Sequence, residues 1–223
     1  LELVNKLWTC HDCKKKLDTI QKAFQNSAIL PELNEEPTSK ICDMDDTYGP
    51  YVEKLASVLP ETLQFPRMTQ ILDFLYLGNE QDAKNLKRLK DNGITHVLNL
   101  AQGYVRTSQA HYDKMKYLGI RAEDDDRYNI MQHFPAAYDF IEEARISGGK
   151  VLVHCIMGVN RSGAITVAYV MVHRQIGPIS AASMVKEKRK SMLLSNHGFH
   201  WQLVKFADEK GLLHKDDNLL SKM

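Results

Sequence analysis

The chain has 223 residues, 43% of them hydrophobic and 26% charged, the proportions of an ordinary globular protein with one sizeable core. Its 29 Lys and Arg against 28 Asp and Glu leave a formal net charge of +1, so there is no global electrostatic pull toward nucleic acid or an anionic membrane, and any attraction to phosphate must be local. The longest apolar run, residues 164–172, falls short of the about 20 residues a bilayer span needs, and four cysteines (Cys10, Cys13, Cys42, Cys155) do not make a disulfide-dense secreted scaffold.

Residues 1–29 carry Leu3, Val4, Leu7, Trp8, Leu17, Ile20 and Phe24 at roughly helical spacing, with Lys14, Lys15 and Lys16 among them, and are expected to form an amphipathic helix. From Leu30 to Pro50 the composition shifts to Pro, Glu, Asn, Asp, Ser and Thr, the make-up of a linker or loop. The chain opens on Leu1 rather than Met, so its natural start is expected upstream. A reducing compartment, cytoplasmic, nuclear or both, fits the cysteine usage.

After Pro66, strands alternate with helices: Ile71 to Tyr76, a helical stretch through Leu86 and Leu89, then Ile94 to Leu100 after the turn Asn92-Gly93. Tyr117 to Ala122, an amphipathic helix near Phe134 to Ala144, the turn Gly148-Gly149 and the strand Lys150 to His154 continue the alternation, and beyond Arg161 the chain reads as helical almost to its end. The expected architecture is α/β, a central, mostly parallel twisted sheet flanked by helices. The expected organisation is an N-terminal helical extension and linker over 1–65, an α/β domain over 66–210 and a C-terminal tail over 211–223. Ligands of such sheets sit at the carboxyl ends of the strands, which directs attention to the loop after Val153.

That loop, His154-Cys155-Ile156-Met157-Gly158-Val159-Asn160-Arg161, joins a buried strand to a helix through a glycine turn. Backbone N–H groups of such a loop and of the helix's first turn lack internal partners and cradle the oxygens of a phosphoryl group. Arg161 adds a planar fork for two of those oxygens, and the same positive surroundings favour the thiolate of Cys155, the nucleophile. Ser162 is placed to offer its hydroxyl to the sulfur, while His154 orients the loop rather than titrating in catalysis. A buried structural thiol is the usual fate of a free cysteine. Here strand, glycine, arginine and helix agree on the catalytic reading.

The Cys-x5-Arg-Ser run over 155–162 resembles the signature of the protein tyrosine phosphatase superfamily. Leu75-Tyr76-Leu77-Gly78-Asn79, the stretch from Gly93 to Asn99, the stretch through Asp124, and Asn196-His197-Gly198-Phe199 with Gln202-Leu203 narrow the resemblance to the small atypical dual-specificity phosphatases, over about residues 66–210. The resemblance implies a protein phosphatase that hydrolyses phosphotyrosine and phosphoserine or phosphothreonine through a phosphocysteine intermediate, with neither metal nor other cofactor. Phosphorylated proteins would be its substrates. It also implies that Asp124 is the general acid, followed by Tyr128-Asn129-Ile130 as in relatives, whereas Asp125 and Asp126 solvate the loop or cap the next helix. No insertion of the kind that deepens the cleft of tyrosine-specific enzymes is visible between Pro66 and Cys155. Met157 stands where alanine is frequent and Ser195 where proline is, which bears on the pocket rim rather than the catalytic groups.

Weaker signals stay open. Cys10-His11-Asp12-Cys13 has no second cluster to complete a zinc site. Lys14-Lys15-Lys16-Leu17-Asp18-Thr19-Ile20 loosely resembles the docking peptides of mitogen-activated kinases, a class of candidate partner. Lys186, Lys188, Arg189 and Lys190 read either as a patch for acidic partners or as an exposed helix end. Two competing functions remain: a phosphatase of a non-protein substrate such as RNA 5′-triphosphate, suggested by Asn160-Arg161-Ser162-Gly163 but opposed by the lack of basic character, and a phosphoprotein-binding module without turnover.

Overall fold

The computed structural model describes residues 40–59 and 67–220, the side chains of 40–46 excepted. The chain divides into two compact units, residues 1–50 and 51–223. The helix expected over 1–29, with Cys10, Cys13 and the lysine run, lies outside the described residues. A helix, α1 (Lys40–Ser57), runs where the composition had suggested a linker up to Pro50. In its second half Tyr51 and Leu55 recur at a spacing of four, as does Leu59 just beyond the helix, and all three are buried, so packing of one face overrides the poor helix formers of the segment. The second unit therefore begins before the boundary drawn at residue 65.

Five strands form one sheet in the order β1-β2-β5-β3-β4: β1 (Thr69–Gln70), β2 (Leu75–Gly78), β3 (His96–Asn99), β4 (Lys116–Gly119) and β5 (Val151–His154). Among these strands of the described residues, the edge pair β1–β2 is antiparallel and the other pairs are parallel. The strand expected over Ile71–Tyr76 is displaced, because Ile71 and Leu72 both donate their N–H to the Leu75 carbonyl and turn the chain there. Val151, Leu152, Val153 and His154 are all buried, as expected for a central parallel strand covered on both faces.

The register aligns Gly78, His154 and Asn99 in one row, with Gly119 opposite Asn99. The loops that leave these four residues consequently emerge side by side at one edge. Asn85 splits the helical stretch after β2 into α2 (Glu80–Lys84) and α3 (Leu86–Asp91), closing the first and capping the second. Next come the short α4 (Gln109–Tyr112), α5 (Phe134–Ile146), α6 (Arg161–Arg174), α7 (Pro178–Arg189), α8 (His197–Glu209) and the closing turn α9 (Asp217–Leu220). Helix α6 is the hub: every residue from Arg161 to Met171 is buried.

The segment from residue 211, expected as a tail, packs on this unit. Leu212 and Leu213 are buried, and buried Asp216 accepts from the N–H groups of Ile179 and Ser180 at 2.7 and 3.3 Å, capping α7. Among the described residues no helix is long and apolar enough to cross a membrane.

Candidate active site

Strand β5 ends at His154 and α6 begins at Arg161, so Cys155 to Asn160 must turn the chain over the edge of the sheet. Gly158 makes the turn possible. Its φ is +70°, and a Cβ there would lie 2.4 Å from the Gly78 carbonyl oxygen. The Glu80 N–H donates to the Ile156 carbonyl at 3.0 Å and the Leu194 N–H to that of Val159 at 3.2 Å, which pins the loop from both sides.

Cys155 is 1% exposed, and its Sγ accepts two hydrogen bonds of 3.2 Å, from the Gly158 N–H and the Ser162 hydroxyl. One loop amide and one hydroxyl from the first turn of α6 thus meet the sulfur at the head of that helix, an arrangement suited to a bound oxyanion. His154 is fully buried, with Nδ1 3.2 Å from the Cys155 carbonyl oxygen. Burial pushes its pKa down to about 4, so it stays neutral.

Arg161, 5% exposed, donates through Nη1 to the Ala122 carbonyl at 3.1 Å, while its Nε is buried without a hydrogen-bond partner. That Nε lies 3.7 Å from Asp124 Oδ2. Of the three consecutive acids, Asp124 is the one that faces the arginine. Asp125 accepts from the Arg127 N–H at 2.9 Å within its own turn, and the Asp126 carbonyl packs so closely on Gly198 that a Cβ there would come to 1.9 Å.

The acid-bearing loop is braced by residues that the sequence did not single out for this role. Asn196 Nδ2 donates to Asp124 Oδ1 at 3.2 Å, and the Asn196 N–H and the Ser195 hydroxyl both donate to Asn160 Oδ1 at 3.1 Å. Gln202 accepts the Ile130 N–H and donates to the Tyr128 carbonyl, each at 2.8 Å. The Tyr104 ring stands 5.7 Å from the Arg161 guanidinium, with its hydroxyl bonded to Glu123.

Met157 is 45% exposed at the rim and, with Asn79, Glu80, Gln81 and Ile156, lines a cleft of about 280 Å³ beside the loop. In the basic run at the end of α7, Lys188 and Lys190 are exposed at the helix end, and only Arg189 departs from both readings given above. Arg189 turns inward, is 5% exposed, and donates to the carbonyls of Leu77 at 2.8 Å and Gly158 at 2.9 Å.

The family model for the dual specificity phosphatase catalytic domain matches residues 75–209. Among curated proteins, dual specificity protein phosphatase 22-A of Danio rerio is 40% identical over 139 residues, 62% of this chain and 64% of that one. Dual specificity protein phosphatase 26 of Bos taurus is 38% identical over 133 residues, 58% of this chain and 62% of that one, so the chain spans less than two thirds of the length of either relative. The crystal structure of the human tyrosine phosphatase-like serine/threonine/tyrosine-interacting protein matches at a TM-score of 0.59 and 30% identity, covering 65% of this chain and 97% of that one.

Proposed function

The chain belongs to the family of dual specificity phosphatase catalytic domains, and from that premise we propose that it hydrolyses phosphate monoesters on proteins, at tyrosine and at serine or threonine, through a phosphocysteine intermediate. The observation that carries this reading is the pair of 3.2 Å hydrogen bonds onto Cys155 Sγ, made at the head of α6 with Arg161 and Asp124 opposite one another beside it.

Cys155 attacks phosphorus as the thiolate. A P–S bond forms, the P–O bond to the substrate breaks, and Asp124 transfers its proton to the departing oxygen, which would otherwise leave as a strong base. The free loop amides and the Arg161 guanidinium bind the equatorial oxygens, whose charge they stabilise more in the transition state than in the ester. In the second step the Asp124 carboxylate takes a proton from water, the hydroxide oxygen bonds to phosphorus, and the S–P bond breaks. The Ser162 hydroxyl stabilises the thiolate that is released.

A binding module without turnover has no need of Cys155, Ser162 and Arg161 together in this geometry. Phosphorylated proteins are the proposed substrates, and reducing compartments, the cytoplasm or the nucleus, the proposed setting for a free cysteine nucleophile. The test is turnover of para-nitrophenyl phosphate and of a panel of phosphotyrosine, phosphoserine and phosphothreonine peptides, with an RNA 5′-triphosphate alongside. Activity on both peptide classes that vanishes in Cys155→Ser is the expected result. Wild-type rates in Cys155→Ser would refute the mechanism, strict tyrosine selectivity the dual specificity, and hydrolysis confined to the RNA the substrate class.

A further inference from the structure

Arg189 is a buried cation that the mechanism above does not use. It is 5% exposed, and among the described residues no ion pair includes it. Its acceptors are all neutral: the carbonyls of Arg67, Leu77 and Gly158 at 3.1, 2.8 and 2.9 Å and the Thr69 hydroxyl at 3.4 Å, while Nε has no hydrogen-bond partner. A buried guanidinium held only by neutral groups is costly, and a lasting position of that kind calls for a negative charge within its reach.

Two candidates face it. Asp82 on α2 is engaged by Arg88, whose Nη1 donates to it at 2.7 Å. The other is the sulfur of Cys155, one residue removed through Gly158, which accepts Arg189 Nη2 on its carbonyl and donates its N–H to Cys155 Sγ. A Cβ on Gly158 would stand 2.6 Å from Arg189 Nη2, so guanidinium and loop are in close contact. Burial lowers the pKa of Arg189 to about 10, with Asp82 and Cys155 opposing the shift, and the group keeps its charge at neutral pH. The other charged groups around the loop have partners of their own: Arg161 lies against Asp124, Glu80 against Lys84, and Lys186 donates to the Ser191 carbonyl, while His154 is neutral.

We propose that Arg189 is a positioning residue for Cys155, shaping the loop so that the Gly158 N–H meets the sulfur and supplying from behind the loop the positive charge that holds the sulfur as a thiolate. The proposal rests on reading Cys155 as the nucleophile. Arg161 binds substrate on the open side. Arg189 acts on the resting enzyme from the closed side.

The test is the pH dependence of Cys155 alkylation by iodoacetamide, followed by mass spectrometry of the peptide that contains it, in the full chain and in Arg189→Met and Arg189→Lys. Thermal denaturation accompanies each variant. Loss of the charge in Arg189→Met should move the alkylation midpoint up by about 1 pH unit or more, whereas Arg189→Lys, which keeps the charge but not the fork, should stay within about half a unit of wild type despite a lower melting temperature. An unchanged midpoint in a folded Arg189→Met overturns the proposal, and so does a midpoint in Arg189→Lys raised by a full unit. If Arg189→Met fails to fold, Arg189→Gln, which removes the charge but keeps polar donors, takes its place, with the same rise expected and an unchanged midpoint overturning the proposal. Alkylation does not depend on turnover, so a wild type that cleaves no phosphate ester would sink the proposed function and leave this measurement standing.

Discussion

Asn196 Nδ2 donates to Asp124 Oδ1 at 3.2 Å while Asn196 Oδ1 accepts the Phe199 N–H at 3.2 Å, so one side chain both caps α8 and holds the carboxyl opposite Arg161. The two roles are separable. Asn196→Ala should lose the cap, about 1 kcal/mol of stability, and with the acid no longer anchored should cleave alkyl phosphates about tenfold more slowly. Asn196→Asp keeps the cap acceptor but not the donor, and should lose rate with little loss of melting temperature. Rates equal to wild type in both variants, whatever the melting temperature of Asn196→Ala, would show that the contact with Asp124 is idle.

Asp124→Asn should slow a phosphothreonine peptide by about 10²–10⁴-fold and spare an aryl phosphate whose leaving group is already acidic. Asp125→Asn should do little, because its carboxylate serves the Arg127 N–H in a local turn. Steady-state rates on the two leaving groups distinguish these outcomes. A leaving-group-dependent collapse in Asp125→Asn would reassign the acid.

Gly158→Ala should cost about 1–3 kcal/mol and lower turnover by about 100-fold or more, since the residue would be held at φ +70° with its Cβ 2.4 Å from the Gly78 carbonyl oxygen. Thermal melting and para-nitrophenyl phosphate turnover read the two effects. A fully active, fully stable variant would mean that the loop does not need this turn.

Stability should fall on the acid side through His154. Its folded pKa, about 4, lies below the ordinary histidine value, so between about pH 6.5 and 4 the unfolded chain binds more protons and stability declines as pH is lowered, by up to about 3 kcal/mol from this group. Burial lowers the pKa of His200 in the same direction. Urea titrations at pH 7 and pH 4.5 should show the drop in wild type and a smaller one in His154→Gln. An equal drop in both would place the acid sensitivity elsewhere.

Strand β5 and its loop were legible because a continuous apolar run followed by a glycine turn, and an arginine six residues after the cysteine, has few other readings. That Asp124 is the one of three adjacent acids to face Arg161 was suggested only by the resemblance, since composition alone does not rank them. What ranks them is the Arg161 guanidinium and Asn196, both distant in sequence. Strand ends came out shorter than expected at Ile94–Leu100 and Tyr117–Ala122, because pairing to neighbours rather than propensity sets where a ladder stops. Arg189 was hidden in a run of like charges. A signal did exist, in that Ala182, Val185 and Arg189 follow helical spacing and all three are buried, which puts the arginine on the apolar stripe.

The strand order carries a kinetic consequence. Strand β5 is made last of the five yet lies in the middle of the sheet, with Val151 opposite Leu75, which is 76 positions earlier, and also opposite His96. Nothing local can assemble the sulfur's surroundings, for the loop stands on a strand whose two neighbours must first be brought back over long stretches of chain. Closure entropy of that kind slows folding relative to helical proteins of similar size. In a refolding experiment, recovery of helical circular dichroism should therefore run ahead of recovery of phosphate turnover, with the Cys155 thiol exposed to oxidants in the interval between them.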